Sequence, residues 1–129
     1  MGLDINGTKF LLYAERNGVS FKNAATIGRQ MLLLDAEALK GNLSLARKPC
    51  DAAALLQNSE GYCESFLNAL GAENVTSFDA SNYERASAIH DFNEPITDEW
   101  KDKFSMVLDG GTLEHIFNYP TALKNCMEM

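Results

Sequence analysis

Three strand-like segments in the second half of the chain each end on an aspartate, and this repetition constrains the fold more than any other feature. They are Val75-Thr76-Ser77-Phe78-Asp79, Ser87-Ala88-Ile89-His90-Asp91 and Phe104-Ser105-Met106-Val107-Leu108-Asp109. A single strand ending on Asp is ordinary turn chemistry. Three in succession, aligned in a parallel sheet, bring three carboxylates to one edge. In an open α/β sheet that carboxyl edge is where ligands bind. The last segment runs directly into Gly110-Gly111-Thr112-Leu113-Glu114-His115, a glycine pair followed by a helix start.

The rest of the chain supplies the helices such a sheet needs. A helix is expected over 6–17, capped by Asn6, with Phe10, Leu11 and Ala14 along one face and Gly18 as its stop. A short strand follows at 24–27 and ends at Gly28. The Ala- and Leu-rich stretch from Met31 to Gln57 predicts two helices, separated by Pro49 and opened by Asp35 and Asp51. Tyr62, Cys63, Phe66, Leu67 and Leu70 recur at helical spacing, with Ser59 as cap and Gly71 as stop. A capped helical turn is expected at 97–102. Pro120 starts a last helix that is expected to bury Leu123, Cys126 and Met127. Only about seven residues separate Asp79 from Ser87, and a parallel crossover usually takes a dozen or more. Either one helical turn at 81–85 makes that crossing, or the pairing there is not simple. The expected fold is α/β, a Rossmann-like open and mostly parallel sheet of about four strands. It forms a single domain over 1–129, with an N-terminal helix within 1–20 and the Rossmann-like part over 21–129.

Composition narrows the partners. At 129 residues and 46% apolar content, the chain can build one real core. Eleven basic residues against eighteen acidic ones leave a formal charge of −7. Nucleic acids and anionic membrane surfaces call for a basic patch, so neither is the expected partner. Cys50, Cys63 and Cys126 are odd in number and scattered, which fits neither a disulfide framework nor a zinc site. They read as small apolar groups in a reducing cytoplasm. No apolar run is long enough to span a bilayer, and the first residues show no basic region followed by an apolar stretch, so a secretory signal is not expected.

Ser77-Phe78-Asp79-Ala80-Ser81-Asn82-Tyr83-Glu84, His90-Asp91-Phe92-Asn93-Glu94-Pro95 and Asp109-Gly110-Gly111-Thr112-Leu113-Glu114-His115-Ile116-Phe117-Asn118 together resemble class I S-adenosylmethionine-dependent methyltransferases. The likeness is to the small methyltransferase-like proteins that carry a DGGTLEH box. It covers residues from about 21 onward and is strongest from 74. The resemblance implies S-adenosylmethionine as cofactor and an O or N methyl acceptor of unknown identity. It also implies that Asp79 binds the ribose hydroxyls, as a carboxylate suits a cis-diol, and that Asp91 bonds the adenine amino group. Asp109, Gly110, Glu114 and His115 would border the methionine end and the acceptor, with His115 and Glu114 as the catalytic candidates and His115 as proton acceptor. Tyr83 would stack on adenine. Gly28 is the one glycine of a first loop that is usually glycine-rich, and here Arg29 and Gln30 follow it. Arg29 could grip the cofactor carboxylate.

The family's sheet has seven strands, against about four here. Its fourth strand is central, whereas in this chain it would be an open apolar edge. A second copy of the chain, related by a two-fold axis, is expected to cover it. Each site residue also has a plainer role open to it. The three aspartates can be turn residues, Glu114 and His115 can cap a helix start, His90 can be a structural histidine, and Tyr83 can pack. His90, Asp91, Glu114 and His115 match no metal motif. A truncated, non-catalytic remnant that serves as an oligomerising or partner-binding module is the alternative function. A generic nucleotide-binding protein lacks its phosphate-cradling glycine loop here.

Overall fold

The computed structural model describes residues 1–129. Six strands and five helices follow one another as β1 (Gly2–Leu3), α1 (Ile5–Arg16), β2 (Asn23–Ile27), β3 (Met31–Leu32), α2 (Ala36–Leu45), α3 (Ala52–Asn58), α4 (Glu64–Ala69), β4 (Asn74–Asp79), β5 (Ala88–Ile89), β6 (Met106–Asp109) and α5 (Tyr119–Glu128). Short 3-10 turns lie at Asp98–Trp100 and Leu113–His115. The main sheet has the order β5-β4-β2-β6, and every pairing in it is parallel. In chain order its strands therefore stand third, second, first, fourth, an order the sequence leaves open, and the sheet is the Rossmann-like, parallel, four-stranded one expected. The chain reverses direction across the sheet between β2 and β6, the position at which open α/β sheets leave a crevice.

The crossover from β4 to β5 contains no helix. It is possible because β5 is only two residues long and pairs only Phe78 with Ala88 and Asp79 with Ile89. Hydroxyls extend the ladder below that pairing. The Ser77 N–H donates to Ser87 Oγ at 3.2 Å, and the Ser87 N–H donates to Ser77 Oγ at 3.0 Å. With so few rungs to align, a short loop suffices.

Residues of β2 alternate between two cores, as the two-residue period of a strand requires. Ala24 joins a core with Leu11, Leu12, Leu39, Leu43, Phe66 and Leu67, which α1, α2 and α4 supply. Ala25 and Ile27 join a smaller one with Phe78, Phe92, Ile96 and Ala122. There Phe78 meets Phe92, Trp100 and Phe104 edge-on, with ring centroids 5.1–5.9 Å apart. Such edge-to-face contacts add to the burial itself.

Caps follow the expected chemistry with some shifts of position. Asp35 accepts from the Ala38 N–H and Asp51 from the Ala53 and Ala54 N–H groups, so both open helices as expected. Helix α1 begins one residue earlier than expected, because Asp4 and not Asn6 takes the first free amides. Its buried face is Thr8, Leu11 and Leu12, while Phe10 is exposed. Thr8 belongs to that face because Asn42 of α2 donates to its hydroxyl at 2.9 Å and to the Ile5 carbonyl at 2.8 Å. Helix α5 starts at Tyr119 and buries Ala122 and Asn125. Leu123 and Met127 face outward, and Cys126 is half-buried. Asn125 displaces the expected apolar face because its side chain ties down the 92–96 loop. It accepts from the Ile96 N–H at 2.8 Å and donates to the Glu94 carbonyl at 2.8 Å.

The N-terminal segment is more than a helix. Gly2 and Leu3 pair in parallel with Met31 and Leu32, forming a separate two-stranded ribbon next to the β2 turn. Neither short strand carries a periodic signal that sequence reading could detect. No helix is long and apolar enough to cross a membrane.

Candidate functional site

A cleft of about 240 Å³ opens at the carboxyl edge of the sheet, over the ends of β2, β4 and β5. Gly28, Asp79, Asp91 and His115 line it, four of the eight residues singled out from the sequence. Asp79 ends β4, whereas β5 stops at Ile89, short of the expected strand end, and Asp91 lies two residues beyond it. The parallel pairing of β4 and β5 brings both acids to the same edge. His90, Asn93 and Thr112 line it as well.

Each aspartate uses one oxygen locally. Asp79 Oδ1 accepts from the Ser81 N–H at 3.2 Å. Asp91 Oδ1 accepts from the Asn93 N–H at 2.9 Å and from the Asn93 side-chain amide at 2.7 Å. The backbone bond first, and then the side-chain bond, hold the Asp91 carboxyl below its usual range. The second oxygen of each residue accepts no hydrogen bond from the protein. No Lys or Arg side chain lines the cleft.

His115 comes from the 3-10 turn after β6, and its Nε2 lies 3.8 Å from Glu114 Oε1. His90 packs edge-on against Phe92 at 5.1 Å, with its Nε2 3.2 Å from the Glu94 carbonyl. It is therefore both a packed histidine and part of the cleft wall. No group of His, Cys, Asp or Glu side chains is arranged to hold a metal ion.

The other four candidates lie off the cleft. Asp109 turns back on its own loop. Its Oδ1 accepts from the Thr112 N–H at 2.9 Å and the Leu113 N–H at 3.2 Å, and its Oδ2 accepts from the Gly111 N–H at 3.4 Å. Both oxygens are consumed, which makes Asp109 the cap of the turn after β6. Gly110 packs on Gln30, and a Cβ there would collide with the Gln30 amide. Tyr83 is 92% exposed and touches neither the cleft nor the core. Glu114 is outside the lining and stands beside His115.

The first loop also departs from expectation. The Arg29 guanidinium is committed within the protein: Nε donates to Glu64 Oε1 at 2.6 Å, Nη1 donates to the Glu84 carbonyl at 3.1 Å, and the group lies 3.9 Å over the Tyr62 ring. It is a structural clamp between the β2 turn, α4 and the loop after β4. Gln30 is fully buried, and its Nε2 donates to the Ile27 carbonyl at 2.6 Å. The bulky side chains after Gly28 thus fold away beneath the turn, and the space directly above Gly28 is left for other groups.

Two of those groups had no visible signal in the sequence. Thr112 donates from Oγ1 to the Ile27 carbonyl at 2.7 Å and reaches Met1 Sδ at 3.0 Å. Met1 lines the cleft although 111 residues separate it from Thr112. No protein-family model matches this chain, and neither a curated protein nor a solved structure matches it.

Proposed function

We propose that the cleft binds S-adenosylmethionine or its demethylated product and that the chain is a methyltransferase-like domain. The observation that carries this is the pair Asp79 and Asp91, just at and beyond the ends of two neighbouring parallel strands in one cleft that no Lys or Arg side chain lines. A diphosphate ligand needs positive groups or a run of backbone amides. Two carboxylates with no Lys or Arg side chain among the lining suit instead a nucleoside that presents a diol, an amino group and no phosphate.

The residues fit such a ligand. Asp79 Oδ2 is free to accept from ribose hydroxyls, and Asp91 Oδ2 from an exocyclic amine. Phe92 and Ile116 supply apolar walls. When bound, S-adenosylmethionine supplies an already activated methyl group, and the protein's task is to position the partners. His115 lines the cleft at the side of the β6 loop and would take the proton of an O or N acceptor, with Glu114 orienting it.

Calorimetry with S-adenosylhomocysteine tests the proposal. The wild-type chain should bind, and Asp79→Ala should bind roughly tenfold to a hundredfold more weakly, as expected for loss of hydrogen bonds to a charged group. No heat from folded protein, or equal affinity in the variant, would refute it.

A second reading, a partner-binding module, is favoured by the free side of β6. That strand pairs only with β2. Beside it runs an open groove lined by Phe104, Met106, Val107, Cys126, Met127 and Met129, with Met127 81% exposed. A two-fold-related copy would lay a second β6 antiparallel to the first, and each strand would satisfy the other's free N–H and C=O groups.

A further inference from the structure

From the contacts of Met1 we infer that this residue, tethered by the firmly held Gly2–Leu3 strand, is a displaceable strap. Its side chain lies in the cleft, so a ligand must evict that side chain to reach Gly28. The inference rests on the ligand proposal above and adds a form of regulation to it.

Gly28 adopts a left-handed backbone, with φ of +73°. Its missing side chain leaves a space that the protein itself fills. A Cβ there would lie 2.6 Å from Thr112 Oγ1 and 3.2 Å from the Met1 methyl. The place at which a ligand could approach the backbone most closely therefore contains a thioether. The cleft volume agrees with this, since about 240 Å³ falls below the roughly 300–1,000 Å³ of typical small-molecule sites. Removing the Met1 side chain would enlarge the cleft on the β2 side, beside Gly28.

The strap is held firmly behind the side chain and lightly at it. Behind it, Leu3 is buried in the larger core, and Gly2 and Leu3 pair with Met31 and Leu32. The Met31 N–H donates to the Met1 carbonyl at 3.2 Å. Gly2 is required there, because a Cβ would collide with the Met31 carbonyl and the Leu33 side chain. The Met1 side chain itself has one polar contact, the Thr112 hydroxyl at 3.0 Å, and the residue is 48% exposed. Sulfur is a weak acceptor, and Thr112 keeps its stronger bond to the Ile27 carbonyl without it. Closed and open forms thus differ by little, and the closed fraction lowers apparent affinity by that same fraction.

Two variants separate the possibilities, each made with the same short N-terminal extension as the reference protein, so that translation does not depend on residue 1. Met1→Ala removes the occupant. Gly2→Ala unseats the ribbon, and Met1 with it, while every cleft residue keeps its identity. Titration with S-adenosylhomocysteine should give affinities roughly three- to tenfold tighter in both variants than in the reference. A methyl-labelled methionine spectrum of the reference should show the Met1 signal shifting as ligand is added. Binding of equal or weaker affinity in both variants overturns the strap and leaves the ligand proposal standing. Absence of binding in all three folded proteins overturns both.

Discussion

At the scale of single residues, hydrogen bonding separates side chains that face the cleft with a free group from those that build the loops around it. Asp79, Asp91 and Asp109 look alike in sequence, yet three backbone amides of its own turn consume Asp109, while the other two each keep one oxygen free. Gln30 shows the same sorting. It looks like an obstruction next to Gly28, but it is fully buried under the turn and forms the floor on which Gly110 rests. That contact makes a prediction. A Cβ on Gly110 would come within 3.0 Å of Gln30 Cδ, and the Nε2 bond to Ile27 prevents the amide from moving aside. Gly110→Ala should therefore lose about 1–3 kcal/mol of stability by urea unfolding, the usual cost of overpacking. An unchanged midpoint would mean that Gln30 is free to swing away.

Among the elements, capping chemistry was legible and face assignment was not. Asp35 and Asp51 announce α2 and α3 because an N-cap is a local interaction between a side chain and amides two or three residues on. Pro49 and Gly71 mark boundaries for the same local reason. The buried face of α5 depends on what lies across from it. Asn125 points inward because Ile96 and Glu94 present an N–H and a carbonyl there, and no periodicity in the helix records this. Asn125→Ala should cost about 2–3 kcal/mol, since it strands buried backbone groups, and it should loosen the 92–96 loop that carries Asn93 and Phe92 into the cleft. Hydrogen exchange at the Ile96 amide reads this directly, and protection equal to wild type would refute it.

For the whole molecule, the open edge is the main physical consequence of the strand order. The β5-β4-β2-β6 arrangement puts the apolar β6 on the outside. Four helices and the two-stranded ribbon pad one face, while α5 and the 92–104 segment cover the other more thinly. Light scattering should find the wild-type chain as a dimer. Met127→Lys, which adds a charge at an exposed position in the β6 groove, should weaken association at least tenfold without altering the melting temperature of the monomer. A wild-type monomer at high concentration would exclude self-association through β6.

The sequence alone determined the class of fold, because apolar segments of strand length, acids at their ends and capped helices between them are all local patterns. It also marked the carboxyl edge as the place for a site and supplied Gly28, Asp79, Asp91 and His115 to the cleft. Only the tertiary structure decided which acids keep a free oxygen, that Arg29 is bound within the protein, and that Met1 comes to lie against Thr112 over Gly28. Those outcomes depend on contacts between residues up to 111 positions apart, and such contacts exist only after the sheet has formed and the helices have packed on it.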